Sequence, residues 1–281
     1  MSGAEESTAS TVLEPFFAET GRGRRFAISS RPASECRGSV LFVPPFAEEM
    51  NKSRRMAALA AQALAENGWH VLRADLHGCG DSEGASGEAT WSGWLADIDF
   101  WVDWLLRRTK GPIILWCLRA GVLLATSWLN RTPASASLLL WQPVPNGQQH
   151  LTQFLRLRAA SEMLDSRNAG GIVSQLKSDL AGGTPVTVAG YELNPELANP
   201  LADARLQLPD EYDGAMSLLE VLSADASPSP AFQRLAGSWR EAGIRTQCIQ
   251  VPGPPFWQTS EIETAPSLIH ATVEAAGNLS S

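Results

Sequence analysis

The sequence predicts a doubly wound α/β domain: a mostly parallel sheet with helices on both faces and a helical insertion past the middle of the chain. Three observations lead there. Short, wholly apolar runs such as "SVLFVPP" and "PIILWC" suit strands buried on both faces. These runs alternate with amphipathic stretches of helical length, and that alternation implies parallel pairing through right-handed crossovers. A chain of 281 residues buries enough surface to fold as one large domain without disulfide support.

The opening "MSGAEESTAS" is polar and acidic. It lacks the basic end and apolar run of a signal peptide, so residues 1–13 are expected to form a flexible tail. Arg24–Ser30 reads as an edge strand, and Ser39–Pro45 as a buried one. "EEMNKSRRMAALAAQALAENG" has helical spacing at Met56, Leu59, Ala60 and Leu64 and stops at Gly68. Strand "WHVLRADL" and the glycine-rich loop "HGCGDSEGASGEAT" lead into helix "WSGWLADIDFWVDWLLRRTKG", with basic residues near its C-terminus. Strand "PIILWC", helix "RAGVLLATSWLNR" and strand "SASLLLWQP" complete a first core segment, residues 14–143. The alternation then lapses over residues 144–209. That stretch is too long for a simple loop and reads as a cap over the carboxyl ends of the strands, where ligands of such sheets bind. Strand "MSLLEVLSA", helix "PSPAFQRLAGSWREAG", strand "RTQCIQVPG" and a last helix around "APSLIHATVEAA" form the second core segment, residues 210–277.

Composition narrows the function. A net charge of −8 argues against a general nucleic-acid binder, which needs a basic surface. Cys36, Cys79, Cys117 and Cys248 are widely spaced, as expected for reduced thiols in a cytoplasmic protein rather than a disulfide framework or a zinc site. No metal and no cofactor is expected. "AGVLLATSWL" is too short to span a bilayer. The ten tryptophans read as core packing, with some available to line a pocket.

Strand-turn "LFVPPF", strand-loop "VLRADLHGCGDSEG", the turn "LWCLRAG" and the mid-chain cap together resemble an α/β-hydrolase, over roughly Phe16 to Ala276. The run D-x-H-G-x-G-x-S at Asp75 to Ser82 matches that family's loop after its fourth strand. More narrowly, "FVPPFAEEMNKSRRM", "CLRAG" and "GPPFWQTSEI" resemble the exosortase A system-associated hydrolase of the second type, a protein group found in bacteria with exopolysaccharide production and a protein-sorting exosortase. The resemblance implies ester or thioester hydrolysis and a protein partner in the exosortase system. Fold alone does not establish the reaction.

The hydrolase elbow is G-x-S-x-G, a tight strand-to-helix turn with small flanking residues. Here it reads Cys117-Leu118-Arg119-Ala120-Gly121, so the turn is possible but the nucleophile is replaced. A guanidinium stays protonated and cannot attack a carbonyl. Asp225 is available where the family's acid belongs. The loop "GPPFWQ", where the histidine belongs, has none. His70 reads as structural, and His270 lies inside the last helix. His77 and His150 approach the strand ends without an identified acid. Cys117 and Cys79 read as packing residues, since no histidine is placed to generate a thiolate.

What remains resembles a binding site. The loop after "LFVPP" supplies an oxyanion amide in the family, and Phe46 and Ala47 keep theirs. Arg119 at a helix start is a candidate receptor for a small anionic or acyl ligand. Equally, it is a candidate for internal pairing with Glu48, Glu49 or Asp225. Glu48 and Glu49 suit the helix dipole, and Lys52, Arg54 and Arg55 a solvated helix face. Asp75, Asp81 and Ser82 are expected to organise the glycine loop. Phe46, Ala47, Glu48, Arg119, Trp257 and Gln258 form the candidate ligand-binding set.

Overall fold

The computed structural model describes residues 11–162, 169–223 and 227–279. In chain order these form β1 (Thr11–Thr20), β2 (Gly23–Pro32), β3 (Gly38–Val43), α1 (Glu48–Glu66), β4 (Trp69–Ala74), α2 (Trp91–Leu106), β5 (Ile113–Leu118) and α3 (Gly121–Leu129). There follow β6 (Ser137–Trp141), α4 (Gly147–Glu162), α5 (Ala169–Ala181), β7 (Val186–Val188), β8 (Tyr191–Leu193) and α6 (Pro195–Asp203). The chain ends with β9 (Met216–Leu222), α7 (Pro230–Glu241), β10 (Thr246–Pro252) and α8 (Pro266–Leu279).

Eight strands form one sheet in the order β1-β2-β4-β3-β5-β6-β9-β10. β2 is antiparallel to both its neighbours, and the pairs from β4 to β10 are parallel. The strand at Arg24–Ser30 is therefore not an edge. β1 covers it over ten residues, from Thr11 opposite Pro32 to Thr20 opposite Gly23. Thr11–Leu13, assigned from sequence to the tail, belong to β1, and residues 1–10 lie outside the described residues. "TVLEPFFAET" carries a proline and two glutamates that break period-2 alternation, so its strand character comes from pairing with β2.

The central strands alternate between two cores. Leu41, Val43, Leu115, Cys117, Leu138 and Leu140 face α2 and α3. Val40, Phe42, Ile114, Trp116, Leu139 and Trp141 face α1 and α8. This period-2 division makes every residue of β3, β5 and β6 buried and explains why the runs read as continuously apolar. Five tryptophans (Trp69, Trp101, Trp116, Trp128 and Trp141) are wholly enclosed. Between β2 and α2, Arg25 and Asp97 make a buried ion pair at 2.9 Å.

The segment between β6 and β9 holds helices α4, α5 and α6 and a small antiparallel hairpin of β7 and β8. Its apolar residues Leu151, Phe154, Leu155, Leu197 and Leu201 join the core on the α2/α3 face. Asn194 ties it to the glycine-loop side: its side chain caps α6 by accepting from Glu196 N at 2.8 Å and donates to Gly87 O at 2.9 Å. Among the described residues, no helix is long and apolar enough to cross a membrane.

Candidate active-site cavity

The turn between β5 and α3 has the tight geometry expected of an elbow. Arg119 sits at φ 54°, a conformation that non-glycine residues adopt only when the surroundings enforce it. Its amide donates to Trp141 O at 3.0 Å, and its carbonyl accepts from Val144 N at 3.3 Å. Gly121 is required on the far side, because a Cβ there would run into the carbonyl oxygens of Val43 and Pro44. A second strained residue, Ala47 at φ 47°, precedes α1. The N-termini of α1 and α3 thus both lie just past the carboxyl ends of β3 and β5, with Met50 N donating to Ala47 O and Leu123 N to Ala120 O, each at 3.0 Å.

The Arg119 side chain is pinned on two sides. Its Nε donates to Glu49 Oε1 at 3.0 Å, and both side chains keep little exposure, 16% and 18%. Its guanidinium carbon lies 5.6 Å from the centre of the Trp257 ring, a cation–π arrangement. Trp257 is buried, edge-on to Phe256 at 5.1 Å. The histidine-free loop thus puts an aromatic face over the guanidinium. Of the internal partners considered from sequence, Glu49 is the one engaged. Glu48 instead lies 3.9 Å from Lys52 and accepts from the Tyr191 hydroxyl at 3.2 Å. Asp225 falls outside the described residues. Burial holds the Glu49 carboxyl above the usual carboxylate range, and the Arg119 charge and hydrogen bond oppose that rise. Glu49 Oε2 is buried without a hydrogen-bond partner.

Around this pair lies a cavity of about 200 Å³. Phe46, Glu48, Glu49, Lys52, Arg119 and Trp257 line it, with Gln258 at its exposed rim and α4 supplying His150, Gln153, Phe154 and Leu157. His150, expected from sequence near the strand ends but given no role there, is among these lining residues. It is 5% exposed, packs edge-on to Phe46 at 6.1 Å, and neither ring nitrogen has a partner. Burial, reinforced by the Arg119 charge, lowers its pKa to about 3, so the ring is neutral. A second cavity of about 310 Å³ lies on the other side of Phe46, between the glycine loop and the hairpin, with Ala47, Cys79, Trp94 and Tyr191 in its wall. Tyr191, also unassigned from sequence, accepts there from Asn51 Nδ2 at 2.7 Å.

The remaining candidates serve the scaffold. Asp75 Oδ2 accepts from the Asp81 amide at 3.0 Å, and Ser82 Oγ donates to Asp75 O at 2.6 Å and accepts from Phe26 N at 2.9 Å. Arg54 pairs with Asp75 at 3.1 Å, so it is not a merely solvated residue of α1. His70 bridges Ser29 and Thr109 at 2.9 and 2.8 Å. His77 holds the Asp97 carboxylate through its amide at 2.7 Å, and His270 is exposed beside Glu274. Burial raises the Cys79 thiol to about 12 and pushes the fully enclosed Cys117 higher still. Neither supplies a thiolate near neutrality.

The model of the "Serine aminopeptidase, S33" hydrolase family matches residues 34–200, more than half of the chain. Est1E from Butyrivibrio proteoclasticus, solved with ferulic acid, superposes with a TM-score of 0.63 at 15% identity, covering 94% of this chain and 98% of that one. Mouse alpha/beta hydrolase domain-containing protein 10 gives 0.58 at 16% identity, over 95% and 98%. The thioesterase domain from the curacin biosynthetic pathway gives 0.53 at 16%, over 96% and 100%. No curated protein matches the chain significantly. With an eight-stranded, mostly parallel sheet and an elbow after β5, the chain belongs to the serine aminopeptidase S33 family of α/β-hydrolases.

Proposed function

We propose that this protein is a hydrolase-fold receptor that binds a small carboxylate-bearing or acyl ligand at Arg119 and does not hydrolyse by a Ser-His-Asp mechanism. One observation carries the reading: the strained elbow position, φ 54°, presents a guanidinium whose one hydrogen bond among the described residues runs from Nε to Glu49. The two terminal nitrogens keep four N–H donors in a planar fork suited to a carboxylate. Glu49 and Trp257 hold that fork still, which lowers the ordering cost of binding. The resemblance of "FVPPFAEEMNKSRRM" and "GPPFWQTSEI" to exosortase-associated hydrolases supports a cytoplasmic role linked to exopolysaccharide production, with a protein partner in the exosortase system.

Ferulate, the acid bound by the structural neighbour Est1E, is a suitable first probe. Calorimetric titration of wild type, Arg119→Ala and Arg119→Lys is expected to show binding weakened roughly ten- to a hundredfold in the alanine variant and partly restored by lysine. Robust turnover of activated esters by wild type, lost on thiol modification, would overturn the reading.

Glu49 favours a second reading, in which a water held between its carboxylate and Arg119 is activated for ester or thioester hydrolysis. A buried carboxylate with a raised pKa beside a cation is suited to a general base. Turnover by wild type that disappears in Glu49→Gln and survives thiol reagents would select it.

A further inference from the structure

The residues that line the Arg119 cavity carry unsatisfied polar atoms of both kinds. Four N–H groups of Arg119 remain after its bond to Glu49. Glu49 Oε2 is an acceptor with no donor, and both nitrogens of His150 lack partners. The neutral His150 ring adds one further donor and one further acceptor. These atoms come from three separate elements: the elbow, the first turn of α1, and α4 of the cap. Phe46, Phe154 and Trp257 surround them with apolar surface, so leaving them unpaired is costly.

We infer that this cavity selects a carboxylic acid that also carries a hydroxyl within one or two carbons of the carboxylate, with His150 as a specificity-determining residue. The inference rests on the reading of Arg119 as a carboxylate receptor and names the class of ligand for that site. The ligand carboxylate takes the Arg119 fork. Its hydroxyl donates to Glu49 Oε2 and accepts from the His150 N–H. A carboxylate alone leaves Glu49 Oε2 an orphan acceptor, and an alcohol alone leaves the guanidinium fork unused. A site built to pair a hydroxyl rejects an analogue that lacks it more strongly than a greasy pocket rejects a missing methylene.

Matched acids test this: mandelate against phenylacetate, and lactate against propionate, titrated into wild type, Glu49→Gln, His150→Phe and Arg119→Ala by calorimetry or ligand-observed NMR. In wild type each hydroxy acid is expected to bind roughly tenfold or more tightly than its deoxy partner. Both His150→Phe and Glu49→Gln should compress that ratio towards one while still binding the deoxy acids, and Arg119→Ala should weaken all four. Equal affinities for hydroxy and deoxy acids in wild type would overturn the inference and leave the receptor reading standing. Failure of all four acids to bind wild type would remove the receptor reading itself. The wild-type ratio needs no variant to fold, and His150→Phe preserves ring packing against Phe46 if Glu49→Gln does not fold.

Discussion

Replacing Arg119 with methionine keeps an unbranched stem as far as the Nε position but removes the guanidinium and its charge. Glu49 Oε1 then loses its 3.0 Å partner, while Oε2 has none to begin with. Breaking a fully buried ion pair from one side costs about 3–5 kcal/mol. Here about a sixth of each side chain remains exposed, which discounts the figure to about 2–3 kcal/mol, including the lost contact with Trp257. The loss depends on pH with a definite sign. Burial already raises the Glu49 pKa, and Arg119 supplies the opposing influences, so its removal raises the pKa further. A carboxyl whose folded pKa lies above its unfolded one contributes stability that is complete below the unfolded pKa and lost as pH rises through the folded one. The deficit of Arg119→Met against wild type should therefore be small near about pH 5 and full near about pH 8. Urea unfolding followed by tryptophan fluorescence, on wild type, Arg119→Met, Glu49→Gln and the double variant, reads it directly. The double variant should recover more than half of the single-variant loss, since it strands no charge. A deficit below about 0.5 kcal/mol, or one that is the same at both pH values, would refute the assignment of Glu49 as the buried partner of Arg119.

Three further outcomes are expected. Arg119→Ser should show at most weak esterase turnover, because the loop where the family's histidine belongs has none and His150 has no acid partner; turnover that is efficient and insensitive to His150→Phe would mean another base is present. Gly121→Ala should cost about 1–3 kcal/mol or prevent folding, since the added Cβ meets backbone carbonyls that have nowhere to go, and a melting temperature equal to wild type would contradict the packed elbow. Arg25→Met should cost about 3–5 kcal/mol by leaving Asp97 buried without its cation, whereas Arg25→Met with Asp97→Asn should cost less; thermal unfolding of both distinguishes them.

The order of strands and helices was legible in the sequence because it rests on local periodicity. The buried runs in β3, β5 and β6, the stop at Gly68 and the small residues around Arg119 each act within a few positions. That Arg119 stands at the elbow's central position and that the "GPPFWQ" loop has no histidine was readable in the same way, from the letters themselves. What Arg119 does instead was not readable. Its partner Glu49 is 70 residues away, and Glu48 beside it had an equal claim until the helix phase of α1 turned one carboxylate to the elbow and the other to Tyr191. His150 and Trp257 join the same cavity from opposite sides of the sequence because the parallel sheet gathers the carboxyl ends of its strands at one edge and the cap closes over them. β1 was missed for the converse reason: its residues carry little strand signal, and only the ladder with β2 makes them a strand. Local chemistry determined the elements and the arginine at the elbow. Contacts between distant side chains, which exist only once the sheet is assembled, decided the pairing of the guanidinium and the polar lining of its cavity.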